Sequence, residues 1–164
     1  MFYSNTVLAS VGMKPATIAG LIGGVNFAAT FGGLYLLTVA GRKTILFYCS
    51  VLIAVNLVLL GWLSLTGHDT SVVVLTLLFI ALFEFSSGPI TWLYMSEIMQ
   101  DKALSIATVL NWSVNLITSL IVPSLVKSIG DDNIGWIFIF VGGTTTLGTV
   151  FIASQMKETK GKSQ

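Results

Sequence analysis

The chain has 164 residues, of which 54% are hydrophobic and only 9% are charged, and its mean hydropathy is +0.90. These values exclude an ordinary soluble domain, because such a fold could not bury so much apolar surface. The net charge of +1 indicates no basic face for nucleic acid, and the single cysteine, Cys49, excludes an internal disulfide and a cysteine-rich metal site.

The apolar residues form long runs, and each run reaches the roughly 20 residues that a helix needs to cross a hydrocarbon core. We therefore predict an all-α membrane protein in which residues 1–164 form a single helix bundle, with spans at about 17–39, 44–66, 71–95, 103–126 and 133–156. The residues before Lys14 are too few to span, since twelve helical residues cover about 18 Å of a core roughly 30 Å thick. They are expected to form a short helix end.

Basic residues are unequally divided between the two predicted sides of the membrane. Lys14 and Lys127 fall on one side, and six others fall on the opposite side: Arg42, Lys43, Lys102, Lys157, Lys160 and Lys162. This bias predicts that the carboxyl-terminal tail lies on the positive-inside face. The protein is expected in the plasma membrane or in an organellar inner membrane, the mitochondrial one included, because no targeting segment decides between them.

Small residues recur four positions apart, a spacing that allows membrane helices to approach closely. The pairs are Gly20 with Gly24, Ala28 with Gly32, Ala29 with Gly33, and Thr144 with Gly148. They predict close helix packing at these positions.

The third span carries a carboxylate at membrane depth. Glu84, Gly88 and Trp92 follow one another at four-residue spacing and so share one stripe of a helix. Gly88-Pro89 should interrupt that helix, because proline lacks a backbone donor and clashes with the preceding turn. Interrupted helices at membrane depth line cavities and indicate a transport site.

Asparagines followed one turn later by another polar residue occur in two spans. Asn111, Asn115 and Ser119 share one face of the fourth span, and Asn26 and Thr30 repeat the arrangement in the first. Amides both donate and accept hydrogen bonds, which suits the hydroxyl groups of a sugar. Hydrogen bonds between helices explain the same spacing equally well.

Several of these motifs together resemble the sugar porters of the major facilitator superfamily, the glucose transporter-like proteins. The segment from Phe83 to Trp92, with Glu97 after it, resembles their tenth transmembrane helix. Phe2-Tyr3 looks like the end of the seventh helix, and Gly41-Arg42-Lys43 resembles the Gly-Arg-Arg of the loop after the eighth. Asn111-Trp112 with Asn115 is similar to the eleventh helix, and Glu158-Thr159-Lys160-Gly161 resembles the tail signature Pro-Glu-Thr-Lys-Gly. The resemblance identifies the chain as the carboxyl-terminal half of such a porter, from the end of the seventh helix to the twelfth.

The resemblance implies roles for particular residues. Sugar-facing residues would be Asn26, Glu84, Gly88, Trp92, Asn111, Trp112 and Asn115. An inner-face gate network would comprise Arg42, Lys43, Glu97 and Lys102. Two prolines of the family pattern are replaced, by Thr91 in the tenth-helix motif and by Lys157 in the tail. The first six helices and most of the seventh have no counterpart in the sequence.

Two functions follow as expectations. In the first, the chain is a truncated transporter-like protein that cannot carry sugar alone and serves as a structural or accessory subunit of a membrane complex. Its partners would be membrane lipids and other integral membrane subunits. In the second, it is part of a functional hexose transporter, facilitative or proton-coupled, that other helices complete. We expect no enzymatic activity, no cofactor, no metal and no nucleic acid, because the sequence contains no motif for them.

Overall fold

The computed structural model describes residues 14–130 and 133–160, and these residues are helical apart from short connections. The described residues form six helices: α1 (Pro15–Val39), α2 (Arg42–Leu65), α3 (Asp69–Phe85), α4 (Pro89–Ile98), α5 (Asp101–Ile129) and α6 (Ile134–Gln155). Taken with α3 and α4 as one span, they provide five segments that are long and apolar enough to cross a membrane. The predicted all-α membrane protein with about five spans is confirmed. The predicted short helix end, with Phe2-Tyr3, lies outside the described residues.

The third span is interrupted where the sequence predicted a break. Helix α3 ends at Phe85 and α4 begins at Pro89. Between them the carbonyl of Phe83 accepts the backbone N–H groups of Ser86, at 3.2 Å, and Gly88, at 3.0 Å. This turn gives two backbone N–H groups at the break a partner, which they could not find in hydrocarbon. Ser86 is completely buried, so the break lies inside the bundle.

Helix α2 is the centre of the bundle and packs against α6 and α3. In the most apolar stretch of α2, 56% of the residues are buried inside the bundle, whereas in the most apolar stretch of α5 only 6% are buried. The crossing of α2 with α6 depends on glycine: a Cβ on Gly135 would overlap the carbonyl oxygen of Gly61, and one on Gly142 would lie 2.9 Å from Val58 Cγ2. These contacts bring the two backbones together.

The predicted small-residue contacts are confirmed at only one of the two ends of α1. Gly32 and Gly33 lie against α3, where a Cβ on Gly33 would lie 3.2 Å from the carbonyl oxygen of Glu84. The described residues show no such contact at Gly20, Gly24 or Gly148: beyond their own helix and chain neighbours, no described atom lies within 4 Å of the position that a Cβ would occupy. Four-residue spacing places two glycines on one face but does not determine whether another helix covers that face.

Helix α5 makes few contacts with the rest of the described chain. Its large apolar residues are mostly exposed, among them Trp112 at 63% and Leu120 at 66%. Pro123 lies within it without ending it. A helix with this much apolar surface requires lipid or another protein around it.

Candidate functional site

An ion pair joins α2 to α4 at the end of the bundle where the α1–α2 connection and the tail meet. Arg42 is the first residue of α2, and its Nη2 and Nε atoms lie 3.0 and 3.3 Å from Glu97 Oε1. The hydroxyl of Thr159 in the tail donates to Glu97 Oε2 at 2.6 Å. Both charged side chains are largely shielded, at 21% and 25% exposure. The network therefore ties three segments of the chain together.

The carboxylate of Glu158 binds the beginning of α2 and fixes the tail there. It accepts the backbone N–H groups of Arg42, at 2.8 Å, and Lys43, at 3.2 Å. It also accepts those of Thr159 and Lys160, both at 3.1 Å. The first N–H groups of a helix have no partner within the helix and attract an anion. Gly41 allows this approach, because a Cβ there would overlap the carboxylate.

These hydrogen bonds change the acidity of Glu158. Desolvation by itself would raise the pKa of the carboxyl, but hydrogen bonds from the backbone of Lys160, Arg42, Thr44 and Thr159 outweigh it and lower the pKa. Because the pKa is lower in the folded protein, the stabilisation is complete at neutral pH and is lost as the pH falls through the lowered value.

Replacing Glu158 with glutamine should therefore release the tail at neutral pH. A spin label on a cysteine in place of Ser163, in a Cys49→Ala background, measures this release. We expect the label in Glu158→Gln to be as mobile at pH 7 as the label on the wild-type tail is at acidic pH. Asp101→Asn, a change at an exposed carboxylate, is the control and should leave mobility unchanged. Equal mobility of the Glu158→Gln and wild-type tails at pH 7 would refute the assigned role of Glu158.

The four residues predicted for the inner-face gate do not all meet. Arg42 and Glu97 are in direct contact, whereas the ammonium of Lys43 donates to the carbonyl oxygen of Ala153 on α6, at 3.0 Å. Lys102 is exposed in the first turn of α5. Sequence reasoning missed the contact between Glu158 and α2. Gly41 was the available signal in the sequence. It has no side chain and directly precedes α2, the helix that the carboxylate of Glu158 binds.

Of the residues predicted to face sugar, one group lies on α1 and the broken span. Glu84 and Gly88 are adjacent, with Glu84 Oε2 3.6 Å from the position that a Cβ on Gly88 would occupy. Trp92 is 38% exposed one turn beyond. The buried Oδ1 atom of Asn26 on α1 has no hydrogen-bond partner among the described residues, and Thr30 donates instead to the backbone carbonyl of Asn26, at 2.8 Å.

The other group lies on α5. Asn111 and Asn115 line an open depression of about 420 Å³ together with Leu110, Val114 and Thr118. Trp112 is exposed on the neighbouring face. All five residues that line this depression belong to α5.

Comparison with known proteins identifies the family. The family described as "Sugar (and other) transporter" matches residues 1–164. The chain belongs to the sugar transporter family. The resemblance to sugar porters of the major facilitator superfamily is thereby confirmed.

This member of the sugar transporter family is similar to insect proteins named facilitated trehalose transporter Tret1. It is 32% identical to the Anopheles gambiae protein over an alignment of 179 positions, which covers 99% of this chain and 22% of that protein. It is also 32% identical to the Culex quinquefasciatus protein over 155 residues, which cover 87% of this chain and 29% of that protein. The chain thus spans less than a third of the length of these relatives. They are transporters, in agreement with the prediction that the chain is not an enzyme.

Solved structures of two xylose symporters have the same fold as this chain. A D-xylose-proton symporter is 25% identical with a TM-score of 0.82, over 99% of this chain and 39% of that one. The proton:xylose symporter XylE bound to 6-bromo-6-deoxy-D-glucose is 24% identical with a TM-score of 0.88, over 99% of this chain and 36% of that one. The helices therefore follow the major facilitator fold.

Proposed function

We propose that the chain forms one wall of a sugar passage, corresponding to the carboxyl-terminal half of a major facilitator sugar porter from the end of its seventh helix to its twelfth. The broken third span carries this proposal, because Glu84 lies against the bare backbone of Gly88 where α1 packs on α3. A non-helical turn at membrane depth is tolerated where it is buried in protein or lines a cavity. The order of the motifs along the sequence supports the position within the family.

The substrate we propose is a small uncharged sugar. Asn26, Asn111 and Asn115 would bind its hydroxyl groups, because an amide offers both donors and acceptors. Trp92 and Trp112 would cover the apolar face of the ring. Glu84 would accept hydrogen bonds along the same passage. Relatives named for trehalose and xylose support this substrate class.

The ion pair between Arg42 and Glu97 would serve as the inner gate. Lys43 and Lys102 complete the proposed set at the same end of the bundle, which we assign to the positive-inside face. Alternating access requires one helix bundle to move against another around a central site. A polypeptide of these 164 residues would therefore need further porter helices to carry sugar.

A second candidate function is that of a structural subunit. The exposed apolar surface of α5 favours it, because a larger assembly would cover that surface. Purification in a mild detergent distinguishes the two functions through the proteins recovered with the chain. Six or seven helices of porter type indicate a carrier, whereas unrelated subunits with fixed stoichiometry indicate a structural role.

Sugar binding by the purified protein, with whatever helices accompany it, tests the proposed function. We expect millimolar trehalose, glucose or xylose to raise the melting temperature. Asn111→Ala should weaken this binding about tenfold, the loss of one well-placed hydrogen bond from a desolvated site. Ser113→Ala is the matched control, because the Ser113 hydroxyl donates to its own helix at Val109, at 2.8 Å. No shift with any of these sugars would contradict sugar binding and leave the structural role.

A further inference from the structure

A groove between α2 and α6 is unused by the proposed sugar passage. It has a volume of about 350 Å³, and its lining includes Val51, Val55 and Val58 from α2 and Thr146, Thr149 and Val150 from α6. Both threonine hydroxyls donate to carbonyls of their own helix, at 2.9 Å. They therefore present their methyl groups, and the groove is almost entirely apolar.

The groove lies midway along α2 and in the second half of α6, two membrane-spanning helices. Gly135 and Gly142 bring α6 against α2 toward one end of the pair. Thr146, Thr149 and Val150 follow on α6 toward the other end. An apolar groove at membrane depth suits a hydrocarbon chain, because neither surface carries a polar group that the contact would leave without a partner.

Beyond the groove, toward the end of α6, a backbone carbonyl accepts a hydrogen bond from a cation. Lys43 Nζ donates to the carbonyl oxygen of Ala153, at 3.0 Å, and Ala153 follows Val150 by one turn on the same stripe of α6. This hydrogen bond joins the ammonium to a neutral carbonyl. Lysine near a helix end extends its amine to the membrane interface, where it attracts anionic headgroups.

We propose that this groove binds an anionic membrane phospholipid, with an acyl chain between α2 and α6 and the phosphate at Lys43. The two parts of the site match the two parts of such a lipid: apolar side chains at membrane depth and one positive charge at the membrane interface. The charge of Lys43 selects the headgroup, and the valine and threonine methyl groups hold the chain.

Native mass spectrometry of the purified protein with phosphatidylglycerol, and with phosphatidylcholine of the same acyl chains, tests the proposal. We expect phosphatidylglycerol to bind about fivefold more tightly, the effect of one lysine near a membrane surface. Lys43→Gln should abolish this preference. The glutamine side chain still offers a donor to the carbonyl oxygen of Ala153, and the backbone N–H of residue 43 still donates to the carboxylate of Glu158. Lys102→Gln, at an exposed lysine at the same end of the bundle, should keep the preference.

Filling the groove tests its apolar part. Val55→Trp should weaken the binding of both lipids, whereas Leu52→Trp should not, because Leu52 is equally exposed on α2 but does not line the groove. Equal affinity for the two lipids in the wild type, or an unchanged preference in Lys43→Gln, would overturn the proposal. So would a protein subunit that cross-links to a photoreactive residue at position 55.

Discussion

Gly135→Val will destabilise the helix bundle by about 2–4 kcal/mol or prevent its folding, as expected when a side chain is inserted into a tightly packed contact. A Cβ at this position would overlap the carbonyl oxygen of Gly61 and lie 2.6 Å from Leu65 Cγ. Backbone atoms cannot move aside as the end of a flexible side chain can, so α2 and α6 must separate. Because α2 is the centre of the bundle, the other helices lose their support as well. Thermal unfolding in detergent, followed by circular dichroism, measures the effect.

Gly143→Val is the matched control for this prediction. Gly143 lies on the same helix, and no described atom is within 4 Å of its Cβ position beyond its own helix and chain neighbours. The two variants share the change in helix propensity that valine brings, so the difference between them isolates the contact with α2. Equal melting temperatures for the two variants would show that the glycine crossing does not hold the helices together.

Glu97→Arg will destabilise the protein by about 1–3 kcal/mol, because it places two guanidinium groups together in a partly desolvated contact. It also removes the acceptor of the Thr159 hydroxyl and so loosens the tail. The exchanged pair Arg42→Glu with Glu97→Arg should recover part of the loss, since it restores opposite charges across the same contact. Melting temperatures of the single and double variants measure this coupling.

Asp101→Arg controls for charge reversal at the same end of the bundle. Asp101 is exposed in the first turn of α5, where reversal should lower stability only slightly through the helix dipole. If the exchanged pair is no more stable than Glu97→Arg alone, the ion pair does not account for the stability of this end.

Hydropathy was sufficient to predict the five spans, because crossing a membrane sets a minimum length of apolar helix. The break in the third span was also predictable, since Pro89 lacks the backbone donor that a continuous helix requires. Both features depend on local chemistry along the chain.

Features that depend on which helices become neighbours were not predictable in the same way. Gly20 and Gly24 have the spacing typical of packed helices but face no described helix, whereas Gly61 and Gly135, on different helices, form the tight crossing. The binding of Glu158 to α2 joins residues 116 positions apart. The sugar-facing assignments for Asn26 and Asn111 rest on family resemblance and stay predictions.

Transport by the chain alone tests most directly whether it forms one wall of a passage that needs a counterpart. The measurement is uptake of radiolabelled glucose and trehalose by liposomes that contain only this polypeptide, folded as judged by circular dichroism. We expect uptake no faster than the leak into protein-free liposomes, because five spans provide no second bundle to move against. Saturable uptake that distinguishes D-glucose from L-glucose would contradict this expectation.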